Sequence, residues 1–267
     1  ELFKNLTRDS FAILNADDEF SEYFADRTSA KILWYGIKNN ADIKAEICRE
    51  STSNIMIKLN YSGREINMTI PFMGLHNVYN SLASVASAIS LGFELDVIKA
   101  GIETAPVVPG RLEAVPCERG FNVVVDYAHT PHALETVLHS LKNLVKGRIL
   151  LVFGCGGDRD KEKRPMMGKV ADENSDIFWL TNDNPRSEEP LNIIEDIKAG
   201  IKPGRIFYIQ KNRRIAIEEA LAEAKSDDLV LIAGKGHEKH QIIKDTIIPF
   251  DDREVVKKIL STNSDIE

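Results

Sequence analysis

Four short segments of the 267-residue chain concentrate the side chains able to do chemistry: Asp126-Tyr127-Ala128-His129-Thr130-Pro131, Gly154-Cys155-Gly156-Gly157-Asp158-Arg159-Asp160-Lys161, Asn182-Asp183-Asn184-Pro185-Arg186 and Gly234-Lys235-Gly236-His237-Glu238. Arg186 offers a planar fork of donors that matches a carboxylate two-pronged, and Pro185 biases Asn184 toward an extended backbone. Arg159 and Lys161 make the glycine-rich loop cationic, which suits a carboxylate or phosphate. Glu238 can accept from an ammonium. An arginine on one loop and a glutamate on another would together recognise a zwitterion, that is, an amino acid. Plainer readings stand beside these: a tight strand-to-helix turn for the glycines, a surface Arg186 paired with Glu188 or Glu189, and Lys235 and Glu238 facing water. Asp126 lies where a ribose-binding acid would sit with His129 close by, or else it prepares the next helix.

Other chemistries fit poorly. A dinucleotide fingerprint needs a third glycine at position 159, which is Arg159. His237, His240 and Glu238 lack a clustered further ligand for a metal. No G-x-x-x-x-G-K-[ST] phosphate loop occurs in the chain.

The elements that must position these segments follow from periodicity. Strands are predicted at 11–15 and 31–37, with an alternating hairpin at Ile55, Ile57, Leu59 and Ile66, Met68, Ile70 around Tyr61-Ser62-Gly63-Arg64. A helix follows Gly74 with Leu75, Val78, Leu82, Val85 and Ile89 on one face and stops at Gly92, and a shorter one covers about 94–101. The stretch Ala105-Pro106-Val107-Val108-Pro109-Gly110-Arg111 marks the boundary between two domains. Beyond it, apolar strands at 121–126, 148–153, 176–181, 205–210 and 228–233 alternate with amphipathic helices. One helix is opened by Thr130-Pro131, and another by Pro190 with Leu191, Ile194, Ile197 and Ile201 inward. This alternation predicts an α/β fold, a mostly parallel sheet covered on both faces. Ligands of such sheets bind beyond the carboxyl ends of the strands, where all four segments fall.

Composition sets the outer limits. Forty-one acidic against 34 basic residues give a net charge of −7, which excludes a broadly basic nucleic-acid binder. With 43% hydrophobic and 28% charged residues the chain is globular, and its length implies about two domains. No apolar run approaches the ~20 residues of a membrane span. Three widely spaced cysteines, Cys48, Cys117 and Cys155, without a C-x-x-C pair fit a reducing, cytoplasmic setting. The chain opens on Glu1 rather than Met, from which an excised piece of a longer protein is expected.

Taken together, these residues resemble the Mur ligase family. The motifs are Gly74-Leu75-His76-Asn77-Val78-Tyr79-Asn80, Pro109-Gly110-Arg111-Leu112-Glu113, Asp126–Pro131, Gly154–Pro165, Asp183–Pro190 and Gly234–Glu238, in family order over nearly the whole chain, with Ala16-Asp17-Asp18-Glu19 as a familiar turn. The resemblance implies a Rossmann-like, mostly parallel carboxy-terminal amino-acid-binding domain at 109–267. Before it, 1–108 would be the late part of a central α/β ATP-binding domain whose phosphate loop is missing. It implies an ATP- and Mg²⁺-dependent amide-forming ligase of peptidoglycan precursor synthesis that adds meso-diaminopimelate to UDP-N-acetylmuramoyl-L-alanyl-D-glutamate through an acyl phosphate. The family's amino-acid site maps onto Arg159, Asp183, Asn184, Pro185, Arg186, Gly234 and Glu238. Asn77 or Asn80 would contact adenine. Arg111 and Asp126 would contact the nucleotide's ribose–phosphate portion, with His129 alongside. Catalytic residues are expected upstream of Glu1, so the chain alone is expected to be inactive. A monomer is expected, with no nucleic-acid or membrane partner. The rival readings are a sister ligase adding L-lysine or another amino acid, the related folate polyglutamylating ligases, a non-catalytic amino-acid-binding module and, weakened by Arg159, a nicotinamide oxidoreductase.

Overall fold

A computed structural model describes residues 1–262. The chain divides into two compact units, Glu1–Val107 and Val108–Glu267.

The first unit runs β1 (Phe11–Asn15), α1 (Ser21–Ala25), β2 (Lys31–Gly36), β3 (Ile43–Glu50), β4 (Ile55–Tyr61), β5 (Arg64–Ile70), α2 (Leu75–Ser90) and α3 (Leu95–Glu103). Its sheet has the order β1-β2-β3-β4-β5, parallel through β3 and antiparallel from β3 to β5. The β4–β5 hairpin turns at Ser62 and Gly63, both with positive φ (52° and 79°). That twist suits a two-residue hairpin loop. Ile43, Ile55, Ile57, Leu59, Met68 and Ile70 of the sheet form one core with Val78, Leu82 and Val85 of α2. Leu75, expected on that face, is exposed. Strand β3 was not predicted. Its Ile43, Ala45 and Ile47 do alternate, but they are embedded among charged residues, and a register shift near Ile47–Arg49 interrupts the pattern.

The second unit runs β6 (Glu113–Val115), β7 (Asn122–Asp126), α4 (Pro131–Lys142), β8 (Ile149–Phe153), α5 (Lys163–Asn174), β9 (Ile177–Leu180), α6 (Pro190–Lys198), β10 (Phe207–Ile209), α7 (Arg213–Glu223), β11 (Leu229–Ala233), β12 (His240–Ile243), β13 (Thr246–Pro249) and α8 (Asp252–Thr262). The main sheet is ordered β10-β9-β8-β11-β7-β6 and is parallel except for the edge strand β6. Every residue of β8 and of β11 is buried, as expected of parallel strands covered on both faces. Thr130 caps α4 by accepting from the Ala133 N–H, and Pro131 opens the helix.

Two expectations need correction. Strand 205–210 shrinks to Phe207–Ile209 and lies at the sheet edge, with Ile206, Tyr208 and Ile209 exposed. On α6, Ile194 and Ile197 are buried as expected and Ile193 joins them, while Leu191, in the first turn, is exposed.

The strand order matters for function. β11 inserts between β8 and β7, so consecutive strands on either side diverge. The loops after β7, β8, β9 and β11 meet at this switch point, where open α/β sheets form ligand crevices.

Candidate functional site

These four loops enclose a cavity of about 310 Å³ lined by Tyr127, His129, Gly154, Cys155, Gly156, Arg159, Asp160, Lys163, Asp183, Asn184, Arg186, Gly234 and Glu238. Arg159, Asp183, Asn184, Arg186, Gly234 and Glu238 are thus brought around one space, with His129 at its wall. Pro185 is buried but does not line it. Its carbonyl helps set the loop spacing instead. A Cβ on Gly157 would collide with Pro185 O, and one on Gly154 with Thr181 O. These glycines let two strand-tip loops touch, a role that neither sequence reading of them had given.

The cations are poised differently from the anions. Arg186, at φ 51°, donates from Nη1 to Gly157 O at 2.7 Å. No ion pair among the described residues ties it to a carboxylate. The plainer reading, a surface pair with Glu188 or Glu189, is not seen among the described residues: buried Arg164 takes the Glu188 carboxylate, at 2.8 Å, and holds it down to about pKa 2. Arg159 is exposed and, among the described residues, donates to Asp158 O, at 2.9 Å. Lys163 donates to His129 O at 2.8 Å. Guanidinium groups spent only on carbonyls keep donors for a ligand carboxylate.

Two carboxylates face these cations. Asp183 is 8% exposed, and among the described residues no donor reaches its side-chain oxygens. Burial pushes its pKa up, against the pull of Arg213 and Lys235. Gly234 makes room for it, since a Cβ there would sit 3.0 Å from Asp183 Oδ2. Glu238 Oε2 accepts from Asn184 Nδ2 at 2.8 Å and from Lys235 Nζ at 3.0 Å. Burial opposes its ionisation, but those two donors outweigh it and the carboxyl lies below its ordinary value. Lys235 is completely buried, against the plainer reading in which it faces water.

The hairpin β12–β13 holds the Asp183–Arg186 loop from behind. Gln241 Nε2 donates to Asp183 O at 2.6 Å, Ile242 N to Asn184 Oδ1 at 3.0 Å, and Arg186 N to Ile242 O at 3.1 Å. Cys155 lines the cavity as a neutral thiol, its pKa pushed by burial up to about 12. It serves as wall rather than nucleophile.

The other predicted residues, His129 apart, do not line this cavity. Asp126 is buried, and its two oxygens accept from Ala128 N and Leu112 N, each at 2.7 Å, so it ties β7 to the chain at the start of the unit. Arg111 is exposed, its guanidinium 4.8 Å from the Tyr127 ring centre. His129 lies against the same ring, the centroids 4.5 Å apart and the planes tilted by 56°. In the first unit, Asn77 Nδ2 donates to Met73 O, and Asn80 Nδ2 to Asn77 Oδ1. Among the described residues no group of three His, Cys, Asp or Glu could hold a metal, and no helix is long and apolar enough to cross a membrane. Sequence reasoning missed Lys163, Lys235 and Gln241. Lys235 adjoins a predicted residue, but nothing in its two flanking glycines signals burial.

Comparison with known proteins places this architecture. Residues 1–88 match the family described as "Mur ligase middle domain" and residues 110–236 the one described as "Mur ligase, glutamate ligase domain". The chain belongs to the Mur ligase family. Among curated relatives, this Mur ligase chain is 42% identical over 261 residues to the UDP-N-acetylmuramoyl-L-alanyl-D-glutamate--2,6-diaminopimelate ligase of Clostridium tetani, covering 97% of this chain and 53% of that protein. It is 46% identical over 250 residues to the protein of the same name from Bacillus licheniformis, covering 94% and 51%. A solved structure of a ligase of that name superposes with TM-score 0.70 at 34% identity, covering 96% of this chain and 54% of the other. The MurF ligase of Thermotoga maritima in complex with ADP shares the fold, with TM-score 0.67 at 16% identity, covering 98% and 55%. This Mur ligase chain therefore spans about half the length of the curated relatives it matches.

Proposed function

We propose that the chain supplies the amino-acid-binding part of an ATP-dependent ligase that adds meso-diaminopimelate to UDP-N-acetylmuramoyl-L-alanyl-D-glutamate, acting in the cytoplasm during peptidoglycan precursor synthesis. The observation that carries this is the cavity itself: Arg159 and Arg186, which have no carboxylate partner among the described residues, line it together with Asp183 and Glu238. One end of diaminopimelate is a carboxylate and an ammonium on the same carbon. The arginines fit the first and the carboxylates the second. L-Lysine lacks that distal carboxylate and would leave a guanidinium unmatched, a strong basis for discrimination. The names of the relatives at 42% and 46% identity agree with this substrate.

ATP, when bound, supplies the phosphoryl group that turns the terminal carboxylate of the nucleotide-linked dipeptide into an acyl phosphate. The chain's own part is to hold diaminopimelate by its distal end so that its other amine is presented for attack, a positioning role. Asn77, Asn80, Arg111, Asp126 and His129 are proposed for the nucleotide side. The Asp126 carboxylate, already engaged by two backbone amides, would act there by shaping the loop rather than through free oxygens. Magnesium is assigned to no residue of this chain, because none of the described side chains forms a cluster suited to it. With no phosphate loop in its 267 residues, the isolated chain should not turn over.

Ligation assays of the whole ligase with meso-diaminopimelate and L-lysine in parallel test the proposal. A clear preference for the former is expected. A preference for lysine would assign the cavity to a sister reaction, and ATP-dependent ligation by the isolated chain would overturn the division of labour.

A further inference from the structure

Lys235 is the one completely buried lysine near the cavity, with 0% exposure, and it does not line it. Its Nζ reaches Asn184 Oδ1 at 3.1 Å and Glu238 Oε2 at 3.0 Å. Asn184 closes the triangle by donating Nδ2 to the same Glu238 oxygen at 2.8 Å. The Asn184 amide is thereby fixed in one sense, because its Oδ1 also accepts from Ile242 N at 3.0 Å. Two donors occupy Glu238 Oε2, and no described residue donates to Oε1.

We infer that Lys235 is a positioning residue of the amino-acid site: from behind the cavity wall it locks Glu238 and Asn184 in a single orientation, leaving Oε1 for the ligand. This deepens the function proposed above and rests on it for the identity of the ligand. The physical case is that a buried lysine is tolerated only when paired and hydrogen-bonded. Here the pairing partner is a carboxylate that itself lines the cavity, so the charge-compensating group and the ligand-binding group are one residue. A glutamate left to choose among rotamers would lose orientational precision at the ligand. Other groups around Glu238 act less directly. Asp183 of the facing loop carries the like charge, while His240 on its own segment and Arg213 at the start of α7 are electrostatic neighbours without a hydrogen bond to it.

Lys235→Met keeps the length of the side chain and removes the charge. In the 267-residue chain, the titration of the Glu238 carboxyl followed by carbon NMR should move up by about one pH unit or more when the ammonium is lost. Binding of meso-diaminopimelate, measured calorimetrically, should weaken at least about tenfold, the factor set by ~1.4 kcal/mol. A folded Lys235→Met protein with an unmoved Glu238 titration overturns the inference, since a lysine that merely fills space would give that result. If the single variant is too unstable to titrate, Lys235→Met/Glu238→Gln decides. Recovery of the thermal midpoint in the double variant supports charge coupling, and no recovery overturns it. The two levels separate cleanly: a Lys235-dependent Glu238 titration in a wild-type chain that ignores meso-diaminopimelate sinks the ligand assignment and leaves the coupling standing.

Discussion

Asp17 in the first unit and Asp183 in the second are both carboxylates at strand tips, and the structure treats them in opposite ways. Asp17 accepts from the backbone N–H groups of Ile37 (2.6 Å), Lys38 (3.0 Å) and Asn39 (2.7 Å) and from the Tyr79 hydroxyl (3.0 Å). Its pKa falls to about 2, because those donors overcome the burial that would raise it. Asp183 is more enclosed, receives no donor from the described residues, and has its pKa raised. Asp17 is a staple: it pins the segment after β2 to the turn after β1 and to α2, and its bonding capacity is used up. Asp183 has no such bonds among the described residues, and on the proposed function its carboxylate accepts from the ligand ammonium. Burial alone does not mark a functional carboxylate; burial without partners does.

The largest effects should come from removing the groups that await a ligand. In the whole ligase, Asp183→Asn should raise KM for meso-diaminopimelate about a hundredfold, matching ~3 kcal/mol for a hydrogen bond to a charged group, while KM for ATP changes less than about twofold. Arg186→Ala should follow with a rise of ten- to hundredfold, from about 1.5–3 kcal/mol. Steady-state kinetics with each substrate varied in turn check both. Equal effects on the two substrates would mean that the loop, not the contact, had failed. The contrast sharpens in stability: Asp183→Asn should hold or raise the thermal midpoint of the ligand-free protein, because it removes a buried charge without a donor.

How far the sequence discloses this depends on which physical signal each residue leaves. The α4 cap is readable because Thr130 and Pro131 act locally. The Ser62-Gly63 hairpin is readable because alternation and turn chemistry agree. Arg186 and Glu238 stand out because charged residues after apolar parallel strands have a single sheet edge to occupy. The hairpin β12–β13 leaves no such trace. Its isoleucines come in adjacent pairs, Ile242-Ile243 and Ile247-Ile248, without strand alternation, and its turn is made by Lys244 at φ 52° with no glycine to mark it. Yet this hairpin fixes the Asp183–Arg186 backbone. Lys235 is hidden for a different reason: lysine is almost always exposed, and only the fold reveals the carboxylate that compensates it. Asp126 and Asp183 look alike in sequence, one ending a strand segment and the other following one by two residues. Whether backbone amides or a cavity meet the carboxylate is decided by loops far away in the chain.

The staple makes the smaller prediction. Asp17→Asn keeps the shape but loses the charge that four donors converge on, and should destabilise the protein by about 1–2 kcal/mol. Thermal or urea unfolding of the first unit's transition would read it. The pH dependence follows from the direction of the shift. Asp17 has a folded pKa of about 2 against an ordinary value of 3.8. Folding therefore favours its ionised form, and the stabilisation is complete above the unfolded value and fades as pH falls from 3.8 toward 2. Because the group retains solvent contact, screening reduces the contribution to the order of 1 kcal/mol. Asp183 has the opposite sign: with its pKa raised, its charge burdens the ligand-free fold progressively as pH climbs through the folded pKa. The difference between wild type and Asp17→Asn should thus shrink on acidification from pH 5 to 2, and that between wild type and Asp183→Asn should also shrink but with reversed sign, the substitution stabilising at neutral pH. Parallel curves for the two variants would show that both carboxylates are staples, and would remove Asp183 as the acceptor of the ligand ammonium.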